Sequence, residues 1–255
     1  MDFLSNAALL IAAGAVAGVM NALAGGGTLL TFPALIYVGL PSIEANATST
    51  VALLLGIGSS IFGYRKELAA QQRWARQFAI PSLAGGILGA VLLLSTEESH
   101  FRALVPYLIL FAAALFTFQK RILQLLEIES HALERSRYGM ALAMLFQFGV
   151  AIYGGYFGAG IGILMLASLG VLMGSHNVLE INSVKVTQAF LINVLAAAIF
   201  IASGKVYWME AVWIATGATV GGLAGPWIGR RTGPQVVRGF VSVLGFAIGL
   251  LMLLR

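Results

Sequence analysis

"LAGGGTLLTFPALIYVG", residues 23–39, places three consecutive glycines (Gly25, Gly26, Gly27) inside an apolar chain and follows them with a short apolar run carrying Pro33. In a water-soluble protein such a stretch makes a tight loop. The surroundings here are too apolar for that. Of 255 residues, 59% are hydrophobic and 10% charged, with a mean hydropathy of +0.92; soluble domains carry about a quarter charged residues. Asp2 and Glu44 are the only formal charges in the first 64 residues, and Glu180 and Lys185 the only ones from Tyr138 to Gly204. The chain therefore reads as an all-α polytopic membrane protein made almost entirely of spans, with no room for a soluble domain. No basic stretch precedes the first apolar segment, which reads as a span and not as a leader. The absence of cysteine excludes disulfides and thiolate metal sites. A pI near 9.7 fits basic loops that set membrane orientation, not nucleic-acid binding.

Ten apolar segments follow one another, at 5–24, 28–40, 47–64, 77–95, 101–118, 138–157, 162–174, 183–203, 209–229 and 236–254. The second and seventh are too short to cross a bilayer comfortably, since a straight span needs about 20 residues. Each follows a glycine cluster: Gly25–Gly27 in the first case and "GAGIG", Gly158–Gly162, in the second. Whether these short segments span or re-enter is open at this stage. Between them, residues 119–137 space Ile122, Leu125, Leu126 and Leu133 as an amphipathic helix on the membrane surface. The expected organisation is a first membrane repeat over 1–118, a cytoplasmic connector over 119–137, and a second repeat over 138–255.

Basic residues orient the halves. Arg65, Lys66, Arg73, Arg76, Lys120, Arg121, Arg135, Arg137, Arg230, Arg231 and Arg238 fall in three connections that share one side if each half changes sides an odd number of times. By the positive-inside rule that side is cytoplasmic, the N-terminus is outside, and the halves are inverted in an inner (plasma) membrane. A constant offset of 136 residues supports the repeat. It aligns Asn46 with Asn182, Gly85–Gly89 ("GGILG") with Gly221–Gly225 ("GGLAG"), Arg102 with Arg238, Gly18 with Gly154 and Gly26 with Gly162. Inverted repeats with interrupted helices mark many secondary transporters, whose sites lie near the midplane at the repeat interface.

Irregular backbone at membrane depth persists only where protein or a polar cavity satisfies its amides. The glycine runs are therefore expected to line a cavity, each opening a short helix whose free N–H groups favour an anion. The GGILG and GGLAG glycines are expected to allow close helix crossings instead.

Two longer stretches carry a family likeness. "AGVMNALAGGGTLLTFPALIYVGLPSIEANATSTVALLLG" resembles the first repeat of the TauE/SafE sulfite exporter family, and "GYFGAGIGILMLASLGVLMGSHNVLEINSVKVTQAFLIN" its second. The matching residues of the first repeat are Gly25, Gly26, Gly27, Pro33, Pro41, Asn46, Thr48 and Ser49. The second departs from it, with Ser168 or Leu169 in place of the proline and Lys185 near the Thr/Ser position. The resemblance implies transport of small anions such as sulfite, sulfoacetate or related organosulfur and carboxylate compounds.

Few polar side chains remain to recognise a substrate. The candidate site comprises Asn21, Gly25, Gly26, Gly27, Thr28, Asn46, Thr48 and Ser49 from the first half. Tyr153, Gly160, Asn182, Ser183, Lys185 and Gln188 come from the second. Thr50, Tyr156, Thr187 and Asn193 are further polar residues in the spans. Asn46 and Asn182 also suit N-caps of the helices that follow. Lys185 is the sharpest candidate, because an intramembrane charge points to function; the competing reading is a lysine that snorkels to the cytoplasmic surface. Glu44 and Glu180 are expected in solvated connections, and His176 in a loop. No Ser-His-Asp set, no metal-spaced histidine pair and no GxxxxGK[ST] motif occurs, so neither an enzyme nor a cofactor is indicated. The expected partners are a small anionic substrate and the lipid bilayer, with H+ or Na+ coupling and a homodimer both compatible. An anion channel and a non-transporting membrane scaffold are the alternatives.

Overall fold

The structure, a computed structural model, describes residues 3–127, 137–173, 177–231 and 235–253. Every element in them is helical: α1 (Phe3–Leu23), α2 (Thr28–Tyr37), α3 (Ser42–Gly63), α4 (Arg65–Ala70), α5 (Gln72–Gln77), α6 (Ala79–Ser95), α7 (Glu98–Glu127), α8 (Arg137–Tyr156), α9 (Ile161–Leu172), α10 (Val178–Ala202), α11 (Trp208–Arg231) and α12 (Gln235–Leu253). Six helices, α1, α3, α7, α8, α10 and α11, are long and apolar enough to cross a membrane. The short helices stand where the glycine runs place them. At 1.5 Å per residue, α2 reaches about 15 Å and α9 about 18 Å, well short of a bilayer core.

α7 continues unbroken from Glu98 to Glu127. Residues 119–127 of the expected surface connector therefore extend a spanning helix and do not begin a separate one. The remainder, 128–136, lies outside the described residues, as does His176.

Two further expectations change. Asn46 and Asn182 are each the fifth residue of their helix, because α3 starts at Ser42 and α10 at Val178. Neither is a cap. The free amides of α3 are taken by a distant side chain: the Glu98 carboxylate accepts from Ser42 N (2.6 Å) and Ile43 N (3.0 Å). For α10 the cap is Asn177, whose Oδ1 accepts from Leu179 N. Glu44 and Glu180 sit in the first turns of these helices, not in connections, and both are engaged. Glu44 pairs with Lys205 at 2.7 Å, and Glu180 accepts from Gln71 Nε2 at 3.1 Å.

The helices pack across the two halves. α1 lies on α11 and α8 on α6; α3 and α10 pack on those same partners, and α3 meets α10. Each of the first two pairs maps onto the other when residues are shifted by 136. Glycines allow the close approach. A Cβ at Gly217 would strike Ile11 O, and one at Gly221 would strike Ala15 O; at Gly89 it would strike Ile152 O and at Gly155, Gly86 O. The GGILG and GGLAG runs thus serve helix crossing, where small residues bring backbones into contact.

At one end of the bundle Arg230 spans between halves, donating to Glu67 Oε1 (2.8 Å) and Gly63 O (3.1 Å). Partial desolvation, the largest influence, pushes the Glu67 carboxyl up. The hydrogen bond from Arg230, a bond from the residue's own backbone, and attraction to Arg230 and Lys66 outweigh it, leaving the pKa below its ordinary value.

Substituting Gly221→Val or Gly89→Val should destabilise the protein by about 1–3 kcal/mol or more, because backbone blocks the new methyls. Gly149→Ala, on α8 with nothing within 4 Å of an added Cβ, should be neutral or stabilise by up to about 1 kcal/mol. Thermal unfolding in detergent ranks the three. The Glu67 clamp contributes fully above the unfolded carboxyl pKa of about 4.3 and is lost as pH falls through the lower folded value. Glu67→Gln should therefore lower the melting temperature modestly at neutral pH, where the clamp is complete, and flatten the acid limb of the profile so that variant and wild type converge at low pH.

Candidate anion site at the meeting of two helix breaks

α1 ends because Gly25 takes φ +79°, a conformation costly for residues with a Cβ. Ala24 N and Gly25 N both return to Met20 O at 2.8 Å. Asn21, in the last turn, bends its carboxamide over the loop, and Oδ1 accepts from Gly26 N (3.0 Å) and Gly27 N (2.7 Å). The second break uses other means. Phe157 N and Gly158 N return to Tyr153 O, and the Tyr153 hydroxyl donates to Ala159 O at 2.8 Å. Gly160, at φ +78°, then caps α9. A triangle of edge-packed rings, Phe32, Phe101 and Phe157, adjoins it.

The two breaks touch. A Cβ on Gly25 would meet Gly162 Cα at 2.5 Å, so backbone lies directly on backbone. Beside this contact is a cavity lined by Asn21, Gly25 and Thr28 from the first break and Gly158, Ile161 and Gly162 from the second. Leu53 and Ile57 of α3 and Lys185, Ala189 and Asn193 of α10 close it. The volume open to a water centre is about 20 Å³, room for one or two water molecules. A sulfonate does not fit without movement.

Lys185 does not snorkel. It is 1% exposed, and its Nζ donates to Asn21 O (3.3 Å) and Ala22 O (3.2 Å). These carbonyls form the C-terminal end of α1, the negative pole of its dipole. Placing an ammonium at the centre of a spanning helix costs about 2.5–3.5 kcal/mol on insertion scales, and the helix end offsets part of it.

Of the residues expected from sequence, Asn21, Gly25, Thr28 and Lys185 line the cavity. The others brace its walls. Gly26 and Gly27 give their amides to Asn21. Asn46 Nδ2 donates to Tyr156 O at 2.9 Å, satisfying the end of α8. Thr48 Oγ1 accepts from Tyr207 N, and Ser49 pairs with Thr31 at 2.6 Å. Ser183 bonds Glu180 O. Gln188 accepts from Ser82 and donates to Ala75 O, and Gln147 donates to Ser82; all three side chains are fully buried. Tyr153 and Gly160 shape the second loop, and Asn182 is buried one turn before Lys185. Asn193 was visible in the sequence as a polar residue in a span. Leu53, Ile57 and Ala189 carried no such signal, being apolar residues among many.

Comparison with known proteins bears on this arrangement. Residues 10–252 match the family described as Sulfite exporter TauE/SafE. The chain belongs to the TauE/SafE family. Among curated relatives, "Probable membrane transporter protein ORF9" of Sinorhizobium sp is 25% identical over 96% of this chain and 92% of its own. A "Probable membrane transporter protein" of Haemophilus influenzae is 27% identical, covering 94% and 91%. "Probable membrane transporter protein YfcA" of Escherichia coli K12 is 26% identical, covering 87% and 77%. No solved structure matches this TauE/SafE chain. It is a multi-pass membrane protein of a transporter family, with the sequence likeness running across both helix breaks.

Proposed function

We propose that this protein is a secondary transporter of small anions, sulfur-containing ones such as sulfite, sulfoacetate or a similar sulfonate. It works by alternating access at a midplane site between two inverted halves. The observation that carries the reading is the junction of two interrupted helices, one from each half, beside a cavity lined by a buried lysine. An ammonium and helix-start amides suit an oxyanion leaving water, because charge-assisted hydrogen bonds offset its dehydration. The exchange of packing partners under the 136-residue shift is what two related halves produce. The small cavity favours a carrier over a channel, since passage of a sulfonate would require its walls to move. Any coupling to H+ or Na+, and a homodimer, belong to the same proposal.

Radiolabelled sulfite or sulfoacetate uptake into proteoliposomes tests it. A carrier shows counterflow with trans-stimulation; a channel conducts without it, and a scaffold moves neither anion. Lys185→Gln keeps a donor for the α1 carbonyls but removes the charge. It should raise the half-saturation concentration about thirtyfold or more, equivalent to roughly 2–5 kcal/mol, while Lys185→Arg retains part of the function. An unchanged half-saturation value in the Gln variant would reject the lysine as an anion contact. For the inversion, single cysteines at positions 3 and 130 should label from outside and inside the cell respectively; labelling from one side would refute it.

A further inference from the structure

The two breaks solve one geometric problem with different chemistry. The bonds that end the two helices match with a shift of 133, Met20 O taking Ala24 N and Gly25 N as Tyr153 O takes Phe157 N and Gly158 N, so at the breaks Asn21 corresponds to Gly154, which has no side chain. The second loop therefore turns, with positive φ at Gly158 and Gly160, without any carboxamide at that position. A turn of this kind does not require an asparagine. Asn21 does something the turn alone does not explain: it answers two sets of donors beside the cavity at once. Its side-chain oxygen takes the Gly26 and Gly27 amides, and its backbone carbonyl, with that of Ala22, takes the Lys185 ammonium.

A second observation lies on α10. Asn182 is three residues before Lys185, on the same helix face, and a helical lysine leans back over that turn. Asn182 is 6% exposed and its Oδ1 is buried without a hydrogen-bond partner. Such an oxygen is costly to leave unmade.

We propose that Asn21 is an internal stand-in for the substrate anion. In the arrangement observed it holds the amides and the ammonium, and an oxyanion with two or more oxygens displaces it, one oxygen to the amides and another to Lys185. Entry of the anion thus breaks the link between α1 of one half and α10 of the other, coupling occupancy to movement of the halves. The inference rests on the anion-transport reading and adds a residue that sets affinity and selectivity. Polyatomic oxyanions are favoured over halides, which cannot bridge two donors in this way.

Purified full-length protein in detergent, titrated with sulfite and sulfoacetate and followed by thermal shift and equilibrium binding, decides the matter. Asn21→Asp fixes a carboxylate in the stand-in position. It should raise the melting temperature without added anion, weaken anion affinity by about tenfold or more, and abolish the anion-induced shift. Asn21→Leu, similar in size but without an acceptor, should melt lower without anion yet bind at least as tightly, with a larger shift. A purely structural Asn21 gives the reverse: Asp preserves the loop and binding, and Leu loses both. That reversed order overturns the proposal while leaving anion transport standing. Should the Leu variant fail to fold, Asp alone decides. If sulfite, sulfoacetate, thiosulfate and acetate all leave the wild-type protein unshifted, the anion reading itself falls and takes this inference with it.

Discussion

Lipid offers no hydrogen bonds, so every backbone group freed by a broken helix must find a partner inside the protein. Much of this structure answers that demand. Two helices stop at glycines, and the orphaned groups are met by Asn21 and Lys185 at one break and by Tyr153 and Asn46 at the other. The partners come from distant parts of the chain. Lys185 reaches α1 from α10, and Asn46 reaches α8 from α3. Satisfying the breaks therefore also fastens the halves together, and a change of partners at either break would move whole helices.

The second demand is close approach. Short helices cannot bury much surface, so long neighbours must hold them in place. The α1–α11 and α6–α8 crossings do so with glycines facing carbonyls, where a single methyl would collide with backbone. Close crossings of long helices thus stand beside short helices pinned by polar bonds. The cavity of about 20 Å³ lies among the short helices and their neighbours.

Polar side chains in a membrane invite a functional reading, and here most of them serve architecture. Ser82, Gln147 and Gln188 form one fully buried hydrogen-bonded set joining three helices, and Thr31 with Ser49 joins two more. These bonds fix helix positions, although the Gln147 Oε1 is buried without a partner. What distinguishes Asn21 and Lys185 is that they line the cavity, where Asn21 accepts from two backbone amides and Lys185 donates to two backbone carbonyls.

Composition, loop charge and glycine clusters by themselves determined the membrane class, the two short helices after Gly27 and Gly160, and the crossing role of GGILG and GGLAG. These are local properties: apolar length, a conformation open chiefly to glycine, and the small size a crossing needs. Tertiary structure alone decided which polar residues meet the cavity. Asn46 and Asn182 look like helix starts because an Asn before an apolar run usually caps one. Glu98, more than fifty residues away, caps α3 instead, and that helix begins a turn earlier. Lys185 sits near the end of an apolar segment, where snorkelling is the ordinary outcome. Its ammonium stays inside because the carbonyl end of α1 lies within reach, and that meeting of residues 21, 22 and 185 exists only once the two halves have packed.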